Sequence, residues 1–285
     1  MSGQSLTVID QPAALSAWSN NQRLAGKRIA LVPTMGALHD GHFALIAEAR
    51  KHGDVVIVSI FVNPLQFNRR DDFDAYPRPL DDDIGTCRSC GVDAVYAPLA
   101  STMYPTGFQT HVEPGALAEV LDGPLRPGHF RGVTTVVAKL FGAARPHTAL
   151  FGQKDYQQLA IIRRMVADLD MAIDIVGVPT VREHDGLALS SRNQRLTPAE
   201  RAAAVCVPQA LTAIAEAVDN GEHDCLLLQA IGQAVIEAQP LARLEQLAIV
   251  NPWTLGSLAK VDGGGIALIA VWFGEVRLID NRLLG

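Results

Sequence analysis

The chain has 285 residues, 48% of them hydrophobic and 19% charged, with a net charge of -6 and a mean hydropathy of +0.16. That apolar share supports a packed core and excludes a disordered chain, and the length suits one larger and one smaller domain. No cluster of Lys and Arg makes the basic face that nucleic acid requires, and apolar runs such as residues 266–273 fall well short of the roughly 20 residues of a membrane span.

The opening MSGQSLTVIDQPAALSAW has no basic start followed by a continuous apolar segment and a small-residue cleavage site, so no secretory signal is expected and the expected location is cytoplasmic. Cys87 and Cys90 form a lone CxxC, with Cys206 and Cys225 apart. Zinc would want a second pair at matching spacing, so these read as small semi-buried residues.

In chain order, residues 27–32 are a short apolar run ending at Pro33, followed by a Gly-containing turn and a helical stretch over 41–52. Residues 54–62 are almost continuously apolar, as suits a parallel strand covered on both faces. The alternation continues with strands expected at 92–96, 148–151 and 173–178 and helices at 134–144 and 156–169. It implies an α/β, doubly wound parallel sheet (Rossmann-like) as the N-terminal domain, residues 1–180. The stretch 63–98, with Pro64, Pro77 and Pro79 and many aspartates, reads as a long excursion over the sheet, its part 80–90 open to helix. After Pro179 the texture changes. Thr197-Pro198-Ala199-Glu200 is a helix start, and a smaller α+β domain is expected over 181–285, with helices at 198–219 and 224–239 and strands at 265–273 and 275–280.

Four segments carry candidate chemistry. Pro33-Thr34-Met35-Gly36-Ala37-Leu38-His39-Asp40-Gly41-His42 lies between the first strand and the first helix, where a doubly wound fold binds ligands. Its glycines have P-loop spacing, but His42 and Phe43 replace the Lys and Ser/Thr of that loop. It offers a helix N-terminus with free backbone N–H groups and two imidazoles three residues apart, donors suited to phosphate oxygens. A solvated loop pair and half of a zinc site are the alternatives. The second segment, Phe61 to Phe67, places Gln66 on the same rim, able to donate to and accept from a hydroxy acid, or to serve as a polar turn residue. In the third, Phe151 to Gln158, Lys154 is a compact cation suited to phosphate, Gln158 lies one helical turn on, and Asp155 can cap the helix or bind ribose hydroxyls. The fourth, Asp185 to Asn193, brings Ser190, Ser191 and Arg192 in a segment able to clamp a triphosphate, or to act as a polar linker.

Together with Arg126-Pro127-Gly128-His129-Phe130-Arg131-Gly132-Val133 and Arg277-Leu278-Ile279-Asp280-Asn281, these segments resemble the signature blocks of the pantothenate synthetase family, in its order, over about 28–195 and 270–282. The strand, HxGH and helix arrangement is also that of the wider HxGH nucleotidylyltransferase superfamily. The resemblance implies a homodimer that condenses pantoate with β-alanine using Mg-ATP through a pantoyl-adenylate. By matching position, Met35, Gly36, Ala37, Leu38, His39, Asp40, Gly41 and His42 bind ATP, with His42 the proton donor and His39 beside it on the phosphates. Gly152, Gln153, Lys154, Asp155, Val181, Leu189, Ser190, Ser191 and Arg192 complete the ATP site, with Lys154, Ser190 and Arg192 on the phosphates. Gln66 and Gln158 hold pantoate, with Gln66 also near β-alanine. Mg²⁺ comes mainly with the nucleotide: Asp82 and Asp83 match acidic positions near the family's metal, but an acidic surface run accounts for them and no protein ligand is assigned. Gln153 stands where the family usually has Glu. Two other readings compete: a nucleotidylyltransferase, which would want extra cations for an acceptor phosphate, and a non-catalytic nucleotide-binding protein, against which both histidines, Lys154 and Arg192 speak.

Overall fold

The computed structural model describes residues 6–68 and 70–285 and divides into two compact units, 1–153 with 161–178, and 154–160 with 179–285.

In the first unit the chain runs through β1 (Thr7–Ile9), α1 (Pro12–Leu24), β2 (Ile29–Thr34), α2 (Asp40–His52), β3 (Val55–Ile60), a 3₁₀ turn at Pro64–Gln66, α3 (Arg70–Asp74), α4 (Leu80–Ser89), β4 (Ala94–Tyr96), α5 (Ala100–Met103), α6 (Asp122–Leu125), α7 (His129–Ala144), β5 (Thr148–Gly152), α8 (Tyr156–Asp168) and β6 (Asp174–Val178). The short piece 154–160 groups with the second unit. The six strands are parallel in the order β1-β4-β3-β2-β5-β6. The chain winds outward from β2 on one side and then crosses to β5, so the strand order reverses between β2 and β5, the place where such sheets open a ligand crevice at their carboxyl edge. All of β3 is buried, and each Val or Ile interred there contributes about 1.5–3 kcal/mol.

β1 and α1 were not expected from the sequence. Thr7–Ile9 is too short to carry a pattern and exists by pairing with β4. The strand β2 also passes through Pro33 to Thr34; β5 pairs with it only at Ala30 and Leu31, so the proline sits where one side of the ladder has ended. The first turn of α7 starts five residues before the expected 134, at His129.

The second unit holds α9 (Pro198–Ala203), α10 (Cys206–Asp219), α11 (Cys225–Glu237) and the antiparallel sheet β7 (Ala242–Val250), β8 (Gly265–Phe273) and β9 (Val276–Leu284). The helix expected over 198–219 is two helices, α9 being closed by a Thr197–Glu200 capping box at its start. By length and composition Pro198–Asp219 is apolar enough to cross a membrane; more than half of it is buried, and Leu211, Ile214 and Val218 lie in this unit's core. β7 was not among the expected strands; it forms because β8 is apolar along its whole length and takes a partner on each side.

Candidate active site

In the first unit the carboxyl ends of β2, β3 and β5 share one edge of the sheet, with Thr34 opposite Ile60 in register. The loop leaving β2 reverses sharply: Gly36 and Ala37 both have left-handed φ, +82° and +51°. For Ala37 that conformation costs energy and persists only where surroundings enforce it. The enforcement comes from Asp83 of α4, whose two oxygens accept the Ala37 and Leu38 N–H groups at 2.8 Å each. A side chain at 36 would meet the same carboxylate at 2.8 Å from its first carbon, so only glycine fits.

The histidine pair forms an imidazole capping box at the start of α2. His39 Nδ1 accepts the Gly41 N–H at 3.1 Å and His42 Nδ1 accepts the His39 N–H at 3.2 Å. A ring nitrogen that accepts carries no proton, so each neutral ring holds its proton on Nε2, the donor form. The rings lie with centroids 4.2 Å apart. The sequence pattern suggests free backbone donors here. Instead, the amides of 37, 38, 39 and 41 are occupied by Asp83 and the two imidazoles, so most of the backbone donors expected here are taken and the rings become candidate donors. The reading of Asp83 as part of an acidic surface run is likewise corrected: it is 3% exposed, whereas Asp82 beside it is exposed.

Gln66 ends the turn after β3, 9% exposed. Its Oε1 accepts from Asn63 Nδ2 at 3.0 Å and its Nε2 donates weakly toward Met35 Sδ at 3.1 Å. Its carbonyl accepts from His129 Nδ1 at 2.7 Å, which puts the proton on that nitrogen. Asn63, 1% exposed, also donates to the Gly132 carbonyl at 3.0 Å and accepts the Tyr104 hydroxyl at 2.7 Å. Burial pushes the Tyr104 phenol well above its ordinary value, so it stays protonated and donates. Asn63 thus fixes the amide flip of Gln66 and leaves the NH₂ side toward Met35. Asn63, Tyr104 and His129 were given no role from the sequence; their signal is a buried polar side chain, visible only with burial known.

On the same edge β5 ends at Gly152, and Gln153 donates to the Gly177 carbonyl at 3.5 Å, a contact that a glutamate could not make.

The second unit holds the other candidates. Val181 to Arg192 forms a tight hairpin, with Leu189 N–H donating to the Val181 carbonyl and Arg182 bridged to Ala188, and then a 3₁₀ turn capped by the Ser190 hydroxyl. Lys154, Ser190 and Arg192 line one cavity with Asp280. Arg201 pairs with Glu183 at 2.7 Å and Asp185 at 2.8 Å, and Asn193 ties Glu183 to the Ala188 carbonyl. Arg201 and Asn193 hold the Glu183 carboxyl below its ordinary value against the opposing effect of burial. Asp155 is exposed, while Gln158 of α8, Leu189 and Ser191 are half-buried.

With this geometry in place, a family model described as pantoate-β-alanine ligase matches residues 7–283. The chain belongs to that family. It is accordingly a ligase. A pantothenate synthetase of Geotalea uraniireducens is 48% identical over 280 residues, covering 98% of this chain and 99% of that protein. Among solved structures, pantothenate synthetase from Thermus thermophilus superposes with a TM-score of 0.91 at 44% identity, covering 97% of this chain and 98% of that one. A pantoate-β-alanine ligase from Francisella tularensis, complexed with β-γ ATP and β-alanine, gives 0.81 at 35% identity with 98% of each chain covered.

Proposed function

We propose that this chain joins pantoate to β-alanine at the expense of ATP, by way of a pantoyl-adenylate and with release of pyrophosphate and AMP. The observation that carries the reading is the imidazole pair at the β2–α2 junction, with both Nδ1 atoms accepting backbone N–H groups, which in the neutral rings leaves Nε2 as the donor. When the pantoate carboxylate attacks the α-phosphate, charge grows on the bridging oxygen and the departing pyrophosphate. Donors fixed beforehand stabilise that charge without reorganising. In this reading His42 gives the proton or hydrogen bond and His39 supports it on the phosphates, while Met35 to Gly41 frame the nucleotide.

Gln66 and Gln158 hold pantoate. The Gln66 amide, fixed by Asn63, has its NH₂ on the Met35 side, where exchange of the weak sulfur contact for a substrate oxygen suits a hydroxy acid. Gly152 to Asp155, Val181 and Leu189 to Arg192 complete the ATP contacts, and Lys154, Ser190 and Arg192 meet the phosphates. The segment 181–285 acts as a lid domain.

Magnesium fits as a companion of ATP. Among the described residues no three His, Cys, Asp or Glu side chains form a cluster, and both oxygens of Asp83 already accept amides, so the donor set suits an ion held by phosphates and water. Bound there, Mg²⁺ supplies charge neutralisation on the phosphates. The chain works as a homodimer in the cytoplasm, as the family likeness supports.

The test is pantoate-dependent exchange of labelled pyrophosphate into ATP with Mg²⁺ present and β-alanine absent. Exchange that needs pantoate is the expected result. Its absence, with ATP binding intact, would overturn the reading in favour of a nucleotide-binding protein without turnover.

A further inference from the structure

The last strand, β9, carries two adjacent buried polar residues: Asp280 and Asn281 are 2% and 6% exposed. Asp280 receives both guanidinium nitrogens of Arg182, at 2.6 and 3.0 Å, and the Asn281 N–H at 2.8 Å. Arg182 also donates to the Gly186 carbonyl at 3.0 Å, which braces the 182–188 hairpin from its own side chain. That hairpin runs straight into Leu189–Arg192. Asn281 turns the other way, its Nδ2 donating to the Lys154 carbonyl at 2.9 Å across 127 positions of sequence.

A hydrophobic pair at 280 and 281 would serve a core at least as well, because burying a carboxylate is costly even when it is paired. What the polar pair supplies is direction. One residue fastens the turn bearing Lys154 and the other fastens the hairpin leading to Ser190 and Arg192, all three of which line a single cavity with Asp280.

We propose that Asp280 and Asn281 are positioning residues for adenylation: β9 serves as the rail that sets the spacing of Lys154, Ser190 and Arg192 toward a triphosphate. The inference rests on the reaction proposed above. Asn281 acts through the main chain of Lys154, and Asp280 acts through Arg182.

The experiment compares the full-length chain with Asn281→Asp, Asn281→Ala and Asp280→Asn by equilibrium titration with Mg-ATP, single-turnover adenylation and thermal unfolding. Asn281→Asp is the informative variant. It keeps the volume but replaces the donor with a carboxylate that faces the Lys154 carbonyl, so thermal unfolding is read beside the ATP titration to separate lost positioning from lost stability. The expected result is a folded protein whose ATP affinity or adenylation rate falls about 10- to 100-fold, the usual effect of shifting a reacting group by an ångström. Wild-type ATP affinity and rate in Asn281→Asp overturn the proposal, as does a loss matched entirely by a smaller folded fraction. If Asp280→Asn fails to fold, the two Asn281 variants decide. Should the wild-type chain show no pantoate-dependent exchange, the reaction fails on its own, and the ATP titration still tests the positioning.

Discussion

The Asp83 carboxylate accepts the Ala37 N–H at 2.8 Å across 46 positions of sequence, and its other oxygen takes Leu38 at the same distance. Removing it leaves two donors unmet beneath a backbone held in a left-handed turn. At about 1–3 kcal/mol for each unmet donor, Asp83→Ala should destabilise by about 3 kcal/mol in denaturant unfolding. Adenylation should fall as well, because the turn sets where α2 begins. Asp83→Asn, which keeps one acceptor, should lose roughly half as much.

The capping contact of His42 can be separated from the chemistry proposed for it. Its Nδ1 caps the His39 amide, and its Nε2 carries the proton assigned to chemistry. Glutamine at the third helical position also completes a capping box. His42→Gln should therefore unfold at nearly the wild-type temperature while single-turnover adenylation slows by roughly 10². His42→Ala should lose both, with about 1 kcal/mol of stability gone through the cap. Near-normal adenylation in the Gln variant would remove His42 from the chemistry.

Gly132 packs so closely on Leu65 that an added side-chain carbon would overlap the Leu65 carbonyl and press on the Gln66 N–H. The same glycine's carbonyl accepts from Asn63, which holds Gln66. Gly132→Ala should cost about 1–3 kcal/mol as an overpacked site. Pantoate affinity should drop by roughly tenfold or more, since a small displacement of a binding group is enough for that; ATP affinity should change far less. Equal losses for both ligands would count against Gln66 as a pantoate contact.

Acid should loosen the hairpin of the second unit. Arg201 holds Glu183 below its ordinary 4.5. Burial pushes Asp185 up, but Arg201 and the Leu187 amide outweigh it, so Asp185 also lies below its ordinary 3.8. For carboxyls lowered in the folded state, stability is present above the unfolded values and is lost as pH falls through the folded ones. Thermal unfolding should therefore drop from about pH 4.5 downward, modestly because these side chains are partly exposed and screened. Arg201→Gln should flatten that acid limb. An unchanged limb would show that the pair contributes nothing measurable.

Local patterning in the sequence determined much of this protein. The apolar run of β3, the strand–glycine–helix passage at 33–42 and the β/α alternation implied a parallel sheet, because side-chain period and turn chemistry act between near neighbours. The two histidines were recognisable from their place at the end of a strand. What they bond to was not: a spacing of three is consistent with phosphate donors, a zinc half-site or the capping box that the structure contains. Asp83 looked like one aspartate in an exposed run, and only the packing of α4 under the β2 loop turns it inward. Tyr104 lies 41 positions along the chain from Asn63 and His129 further still, so their shared network with Gln66 depended on which segments the sheet brings side by side. β1 and β7 were decided in the same way, by a neighbouring strand that needed a partner. Backbone hydrogen bonds between distant segments leave no mark on adjacent residues, and for that reason tertiary structure alone decided them.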